Sequence, residues 1–233
     1  MKIRQLFDYD TWTYTYILWD ETSKEAAIID TVCEQVDRDL QHIHELGLKV
    51  KYLLETHIHA DHITGAGPIR KATGGQIVVH KNSQSDCADI LADEGDTFKL
   101  GEQSIQVWHT PGHTNNDITY VIEGAAFTGD TLLVRDCGRT DFQLGSNQAM
   151  YASLHRLFND LPEDTQIFPA HDYKGFTQST IGEEKRFNIR VGNQRPYEDF
   201  EAIMNNLNLP NPRRIDISVP GNLKCGNIDK SPA

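Results

Sequence analysis

The chain places Thr56-His57-Ile58-His59-Ala60-Asp61-His62 directly after an apolar run, Val50 to Leu54. The run reads as a strand, and few folds end a strand in so many ligand-type side chains. In an extended segment His57 and His59 point the same way, because side chains repeat every two residues. A turn then brings Asp61 and His62 around the same point. Neutral imidazoles and a carboxylate are good ligands for Zn(II) or Fe(II). A lone histidine here would read as part of a solvated loop; this pattern does not.

Three further sites stand at predicted strand ends. Pro111-Gly112-His113-Thr114 follows a strand ending at Trp108. Gly129-Asp130 follows Ala125 to Thr128. Pro169-Ala170-His171-Asp172-Tyr173 follows Gln166 to Phe168. Each alone is weak, since a histidine after Pro-Gly is more often a turn residue than a ligand. Their joint appearance suggests convergence on one edge of a sheet. Spacing alone suggests a two-metal hydrolase. His57, His59 and His113 would hold one ion, Asp61, His62 and His171 a second, with Asp130 between them.

The rest of the pattern predicts a layered α/β protein, with sheets inside and helices outside. Strands are predicted at Ile3 to Phe7, Tyr14 to Trp19 and Ala26 to Ile29. Gln35 to Leu46 has helical apolar spacing, with Gly47 as its stop. Gly67 to Ala72 is predicted as a short helix and Gln76 to Val79 as a strand. Four more strands are Phe98 to Leu100, Ser104 to Trp108, Ile118 to Ile122 and Ala125 to Thr128. Asn147 to Leu161 is a helix with Leu154, Leu157, Phe158 and Leu161 on one face. From Gly182 onward the tail carries one predicted helix, about Tyr197 to Leu207. At 233 residues the chain is read as one domain, with 182–233 as an extension packing on it.

The order HIHADH, PGHT, GD and PAHD, from Leu53 to Tyr173, resembles the metallo-β-lactamase superfamily. That resemblance implies an αββα sandwich with the metal site at one edge of the two sheets. The fold alone does not give the reaction. A second motif, Cys137-Gly138-Arg139-Thr140-Asp141-Phe142-Gln143, resembles that of persulfide dioxygenases. The stretches Ile203 to Pro210 and Val219 to Gly226 look like the same group, so the resemblance covers nearly the whole chain. One departure is Asn188-Ile189-Arg190, where the group's pattern is Asn-Pro-Arg. Some relatives carry an added rhodanese domain, for which this chain is too short.

The resemblance implies a different metal site from the one spacing suggests. It implies one Fe(II) per chain, held by His57, His113 and Asp130, a two-His, one-carboxylate triad with open positions. The activity implied is oxidation of glutathione persulfide by O2 and water to sulfite and glutathione. His59, Asp61, His62 and His171 then act as supports that orient the ligands. Glutathione brings two carboxylates, so cationic groups should line its pocket. Arg139 is the first candidate and Tyr173 the second, both by resemblance; Arg214 and Lys224 are further candidates from the basic tail. Cys137 is read as structural, with a persulfide-accepting role as the alternative.

Two rivals stand beside this reading. Glyoxalase II, a two-metal thioesterase on S-lactoylglutathione, shares the fold and the histidine motif. Against it stand Thr140 to Gln143, unlike the thioesterase pattern, and a short tail with one clear helix. A non-catalytic sulfide or metal sensor would need a partner surface or DNA-binding segment. The net charge of −12 opposes nucleic acid and anionic membranes as partners. The N-terminal residues carry no secretory or transit pattern, which predicts a cytoplasmic protein. Relatives are often homodimers. Cys33, Cys87, Cys137 and Cys225 contain no Cys-x-x-Cys pair and are read as four reduced thiols.

Overall fold

A computed structural model describes residues 1–212 and 214–227. In chain order it begins β1 (Lys2–Asp8), β2 (Thr13–Trp19), β3 (Glu25–Ile29), α1 (Val36–Leu46), β4 (Lys49–Leu54) and α2 (Ala66–Thr73). Then come β5 (Gln76–His80), β6 (Ile90–Ala92), β7 (Thr97–Leu100), β8 (Gln103–His109), β9 (Ile118–Ile122) and β10 (Ala125–Gly129). The chain continues through α3 (Asn147–Asp160), β11 (Gln166–Pro169), β12 (Ser179–Thr180), α4 (Ile181–Phe187), α5 (Tyr197–Asn205) and α6 (Ile215–Asn222). It divides into two compact units: 1–92 with 99–103 and 211–233, and 93–98 with 104–210. The predicted extension from 182 onward is shared out, with α4 and α5 in the second unit and α6 in the first.

The first unit is built on a six-stranded sheet ordered β1-β2-β3-β4-β5-β6. β1, β2 and β3 pair antiparallel, and β3 to β6 pair parallel. Parallel strands covered on both faces read as continuous apolar runs rather than alternating ones. Ala26, Ala27, Ile28 and Ile29 of β3 are accordingly all buried. α1 packs Ile43 into the core with Leu40 and Leu46 beside it. It ends where Gly47 takes a left-handed φ of 63° and the Leu48 N–H returns to the Ile43 carbonyl at 2.9 Å.

Asp39 is the one charged residue on the inner side of α1. It is fully buried, and burial pushes its carboxyl up to about 6, although Arg38 donates to it at 2.9 Å. In the unfolded chain the group titrates near 3.9, about two units lower. The native state therefore holds the proton more tightly, and stability is lost as pH rises from about 4 to about 6. Asp39→Asn is expected to raise stability at neutral pH by about 2–3 kcal/mol. Urea unfolding across this range checks it: the gain should be absent near pH 4 and complete above about pH 6. An equal gain at both ends would contradict the buried-carboxylate explanation.

The other six-stranded sheet is ordered β12-β11-β10-β9-β8-β7. Of its pairings, β10 with β11 is parallel, and β9 with β10, β8 with β9 and β11 with β12 are antiparallel. α3 begins at Ser146, whose hydroxyl accepts from the Ala149 N–H at 3.3 Å. It buries Met150, Leu154, Leu157 and Phe158 against Ile167, Ile181, Val191 and Phe200.

Two expectations are corrected here. The tail beyond Gly182 was expected to hold one helix; the described residues hold three, α4, α5 and α6. α4 is announced by Thr180-x-x-Glu183, in which the threonine hydroxyl accepts the Glu183 N–H. α6 was hidden by its β-branched residues and by Pro220-Gly221, which read as a loop. The tail therefore no longer argues against a thioesterase. The second correction concerns the thiols: Cys87 and Cys225 form a disulfide, with Cα atoms 6.0 Å apart. Their separation of 138 residues left no local spacing to read. The strands β6 and β12, short at three and two residues, were also not foreseen.

The Asn188-Ile189-Arg190 departure has a local effect. Ile189 is exposed and its N–H donates to the Arg135 carbonyl at 3.3 Å. A proline there would lack that donor.

Candidate metal centre

In the first unit the strand-end histidines do face one another. The ring centroids of His57 and His59 lie 4.1 Å apart, and those of His59 and His62 lie 4.3 Å apart. All three are buried. Ligand atoms of His59, Asp61 and His62 fall within 4.8 Å of one another, as do those of Asp30, Glu55 and His59. β4 ends at Leu54, so the histidines stand in the loop that follows it.

Hydrogen bonds fix the tautomer of His57. The Asp30 carboxylate accepts from the Thr56 N–H and from the Thr56 hydroxyl, both at 2.8 Å. With its proton committed to Asp30, the Thr56 oxygen accepts from His57 Nδ1 at 3.1 Å. That leaves the His57 lone pair on Nε2. His59 Nε2 donates to the same Asp30 carboxylate at 3.1 Å and lies 3.5 Å from Glu55. Burial opposes charge on His59, but Asp30 and Glu55 hold its imidazole well above the ordinary value. His62 Nδ1 donates to Asp61 at 2.9 Å, and Asp61 also accepts from Thr13 at 3.3 Å. His59 Nδ1 and His62 Nε2 are buried without a hydrogen-bond partner.

In the second unit two of the named histidines face one carboxylate. Asp130 follows β10, with Oδ2 at 3.5 Å from His113 Nε2 and Oδ1 at 3.8 Å from His171 Nε2. Neither distance is a hydrogen bond. Asp130 Oδ1 is buried with no hydrogen-bond partner, which costs about 1–3 kcal/mol unless another group satisfies it. Two imidazole nitrogens facing a carboxylate at these distances fit a cation better than they fit each other. His113 Nδ1 donates to the Arg139 carbonyl at 2.7 Å, so its lone pair too is on Nε2. The loop carrying His113 is held from below by Asp117, which accepts from the Thr114 N–H and hydroxyl, both at 2.7 Å. Burial pushes the Asp117 carboxyl up to about 6.

The predicted substrate residues are placed less uniformly. Arg139 binds Asp141 with two parallel bonds of 2.6 and 2.7 Å, donates to the Pro210 carbonyl at 2.7 Å and stacks over Phe142. Tyr173 is exposed, with its ring parallel to His171 at 6.0 Å. Arg214 pairs with Glu34 at 3.0 Å. Lys224 is exposed just beyond α6. Cys137 is buried, and burial pushes its thiol up to about 12, which opposes a nucleophilic role.

Sequence reasoning passed over Asp30, Glu55 and Asn222. Asp30 had a usable signal: it closes an apolar strand, β3, as Asp130 closes β10. It sits at a left-handed φ of 51°, a conformation that aspartate tolerates better than most residues. Glu55 and Asn222 gave none. No helix among the described residues is long and apolar enough to cross a membrane.

Residues 12–171 match the family model of the metallo-β-lactamase superfamily. The mitochondrial persulfide dioxygenase ETHE1 of Mus musculus is 46% identical over 96% of this chain and 88% of its own. The Homo sapiens protein of the same name shows the same identity and coverage. The crystal structure of ETHE1 from Myxococcus xanthus superposes with a TM-score of 0.94, at 48% identity, covering 97% of this chain and 100% of that one. The fold is thus the metallo-β-lactamase fold that the sequence motifs implied. This chain is an enzyme that belongs to the metallo-β-lactamase superfamily and, within it, to the persulfide dioxygenase family.

Proposed function

We propose that this chain oxidises glutathione persulfide with O2 and water to glutathione and sulfite, using one Fe(II) held by His57, His113 and Asp130. The observation that carries the reading is the close identity to persulfide dioxygenases over almost the full chain. The donor set supports it. Two imidazoles with their lone pairs on Nε2 and a carboxylate with an unsatisfied oxygen suit a mononuclear Fe(II) site. Bound there, Fe(II) would supply the oxygen chemistry.

The chain's own residues do the rest. Thr56 and the Arg139 carbonyl hold the two ligating rings by their Nδ1 protons. His59 and Asp30 steady Thr56 in turn. His171 faces Asp130 from its other oxygen, and Asp61 holds His62. The overall reaction converts the persulfide, O2 and water into glutathione and sulfurous acid. The sulfur–sulfur bond breaks, the terminal sulfur loses four electrons and O2 gains them. Sulfurous acid leaves its protons to solvent.

Arg139 is the group that would receive a glutathione carboxylate. Its guanidinium is already presented to Asp141 in the two-bond geometry that a carboxylate needs, and Asp141 is exposed enough to be displaced. Tyr173 would pack on the tripeptide beside it. Arg214 would have to exchange Glu34 for the ligand. A cytoplasmic location and a homodimer complete the reading.

The rival thioesterase is separated by supplying each substrate to the iron-loaded protein. Oxygen uptake with glutathione persulfide, and no hydrolysis of S-lactoylglutathione, is the expected outcome. Thioester hydrolysis with no oxygen uptake would replace this reading by its rival.

A further inference from the structure

The C-terminal segment is bolted onto the loop that carries the histidines. Asn222, the last residue of α6, is buried. Its side-chain carbonyl accepts the Thr64 N–H at 2.8 Å. Its amide nitrogen donates to the His59 carbonyl at 2.9 Å and the His62 carbonyl at 2.8 Å. The two carbonyl partners fix which end of the amide is nitrogen. One side chain thus satisfies three backbone groups of the segment 59–64, from about 160 residues away in sequence. Asn222 and His57 also line the same small cavity, together with Glu55 and Thr64.

Three other contacts hold the residues just after α6: Gly226 lies against Thr64 of this loop, and Cys225 is tied to Gly67 of α2 and to Cys87. The Gly67 N–H donates to the Cys225 carbonyl at 2.9 Å. A Cβ on Gly67 would lie 2.5 Å from that same oxygen, and a Cβ on Gly226 would lie 2.0 Å from the Thr64 carbonyl. Gly226 also has a left-handed φ of 70°. These backbones approach as closely as they do because both positions are glycine. The Cys87–Cys225 disulfide ties the same segment to the residues before β6.

We propose that Asn222 is a positioning residue for metal binding: it fixes the backbone of the 57–64 loop, and through it the His57 imidazole, in the geometry that the ion requires. The inference rests on the proposed iron site. Glu55 joins the arrangement from the other side, since its carboxylate accepts the Thr64 hydroxyl at 2.6 Å and faces His59. The loop is therefore held at its carbonyls by Asn222 and at its side chains by Asp30 and Glu55. Partners that orient metal ligands at one remove typically alter metal affinity by about 10- to 100-fold.

The test compares Asn222→Asp and Asn222→Ser with wild type. Aspartate keeps the acceptor for Thr64 but sets a carboxylate oxygen against two carbonyls. Serine is smaller and uncharged, and it keeps a folded variant available if aspartate is not tolerated. Three readouts are taken: melting temperature without metal, Fe(II) affinity by anaerobic chelator competition, and the visible absorption of the Co(II)-loaded chain. Ile43→Ala, a cavity in the α1 contact, serves as a control for stability alone. The expected result is a roughly 10- to 100-fold weaker Fe(II) affinity and displaced Co(II) bands in the Asn222 variants. The control should melt earlier with both metal readouts unchanged. Folded Asn222 variants with wild-type Fe(II) affinity and Co(II) bands would overturn the proposal. A wild type that binds iron but takes up no oxygen would overturn the dioxygenase reading and leave this test standing. A wild type that binds no metal would overturn both.

Discussion

Replacing His113 with Ala is expected to remove iron and oxygen uptake together. His113 is the proposed ligand whose orientation is most completely determined: its Nδ1 proton is committed to the Arg139 carbonyl and its Nε2 faces Asp130. Losing a support for a metal ligand costs about 10- to 100-fold, so losing a ligand should exceed that range. Iron per chain and the rate of oxygen uptake with glutathione persulfide are measured on the same sample. The change should leave the fold in place, because His113 lies in a loop that Asp117 holds through Thr114. A His113→Ala protein with its iron and full activity would sink the ligand assignment.

The second large effect is expected from one methyl group. Gly138 lies against both proposed ligands of the second unit, His113 and Asp130. A Cβ there would sit 2.5 Å from the Asp130 carbonyl, 3.0 Å from Asp130 Cβ and 3.1 Å from His113 Cγ. The Gly138 N–H already donates to that Asp130 carbonyl at 2.7 Å, so the backbone has little freedom to retreat. Gly138→Ala must therefore displace His113, Asp130 or both. Overpacking of this kind costs about 1–3 kcal/mol in stability. Misplacing reacting groups by about 1 Å costs roughly 100-fold in rate. The expected variant is folded, melts a few degrees lower and is slower by about two orders of magnitude. Wild-type turnover in a folded Gly138→Ala protein would show that the site tolerates this shift.

The legible part of the molecule was the part with a short-range period. The apolar run of β4 marked the histidine loop that follows it, and helical spacing placed α1 and α3 to within a residue or two. Each strand-end residue could be found because the apolar run before it marked the strand. Asp30 obeyed the same rule and was overlooked only because a single carboxylate after a strand is common. What the sequence hid depended on partners far away. Asn222 meets the histidine loop across about 160 positions, and Cys87 meets Cys225 across 138. α6 escaped because Pro220 and Gly221 are loop residues by propensity, yet Pro220 falls near the end of the helix. Its place is set by tertiary contacts, and propensity is only a weak prior against those. Arg139 was read as a glutathione carboxylate contact; its partner in the structure is Asp141, two residues away, which was not foreseen.

The choice between one metal and two was open from spacing, because every residue of a two-metal site is present. The structure keeps both donor groups in view: His113 and His171 flank Asp130, while His59, Asp61 and His62 gather in the first unit. Each ring of His59 and His62 has one nitrogen engaged and one, His59 Nδ1 and His62 Nε2, without a hydrogen-bond partner, so the proposed supporting role rests on the likeness to persulfide dioxygenases. His59 Nε2 is bound to Asp30 and His62 Nδ1 to Asp61.

The most direct measurement titrates the metal-free chain with Fe(II) under anaerobic conditions. Each sample is then given oxygen and glutathione persulfide, and oxygen uptake and sulfite are recorded in one vessel. Uptake should rise linearly and break at one iron per chain, with one sulfite formed per O2 consumed. A break at two ions per chain, or an iron-loaded protein that consumes no oxygen, would contradict the account.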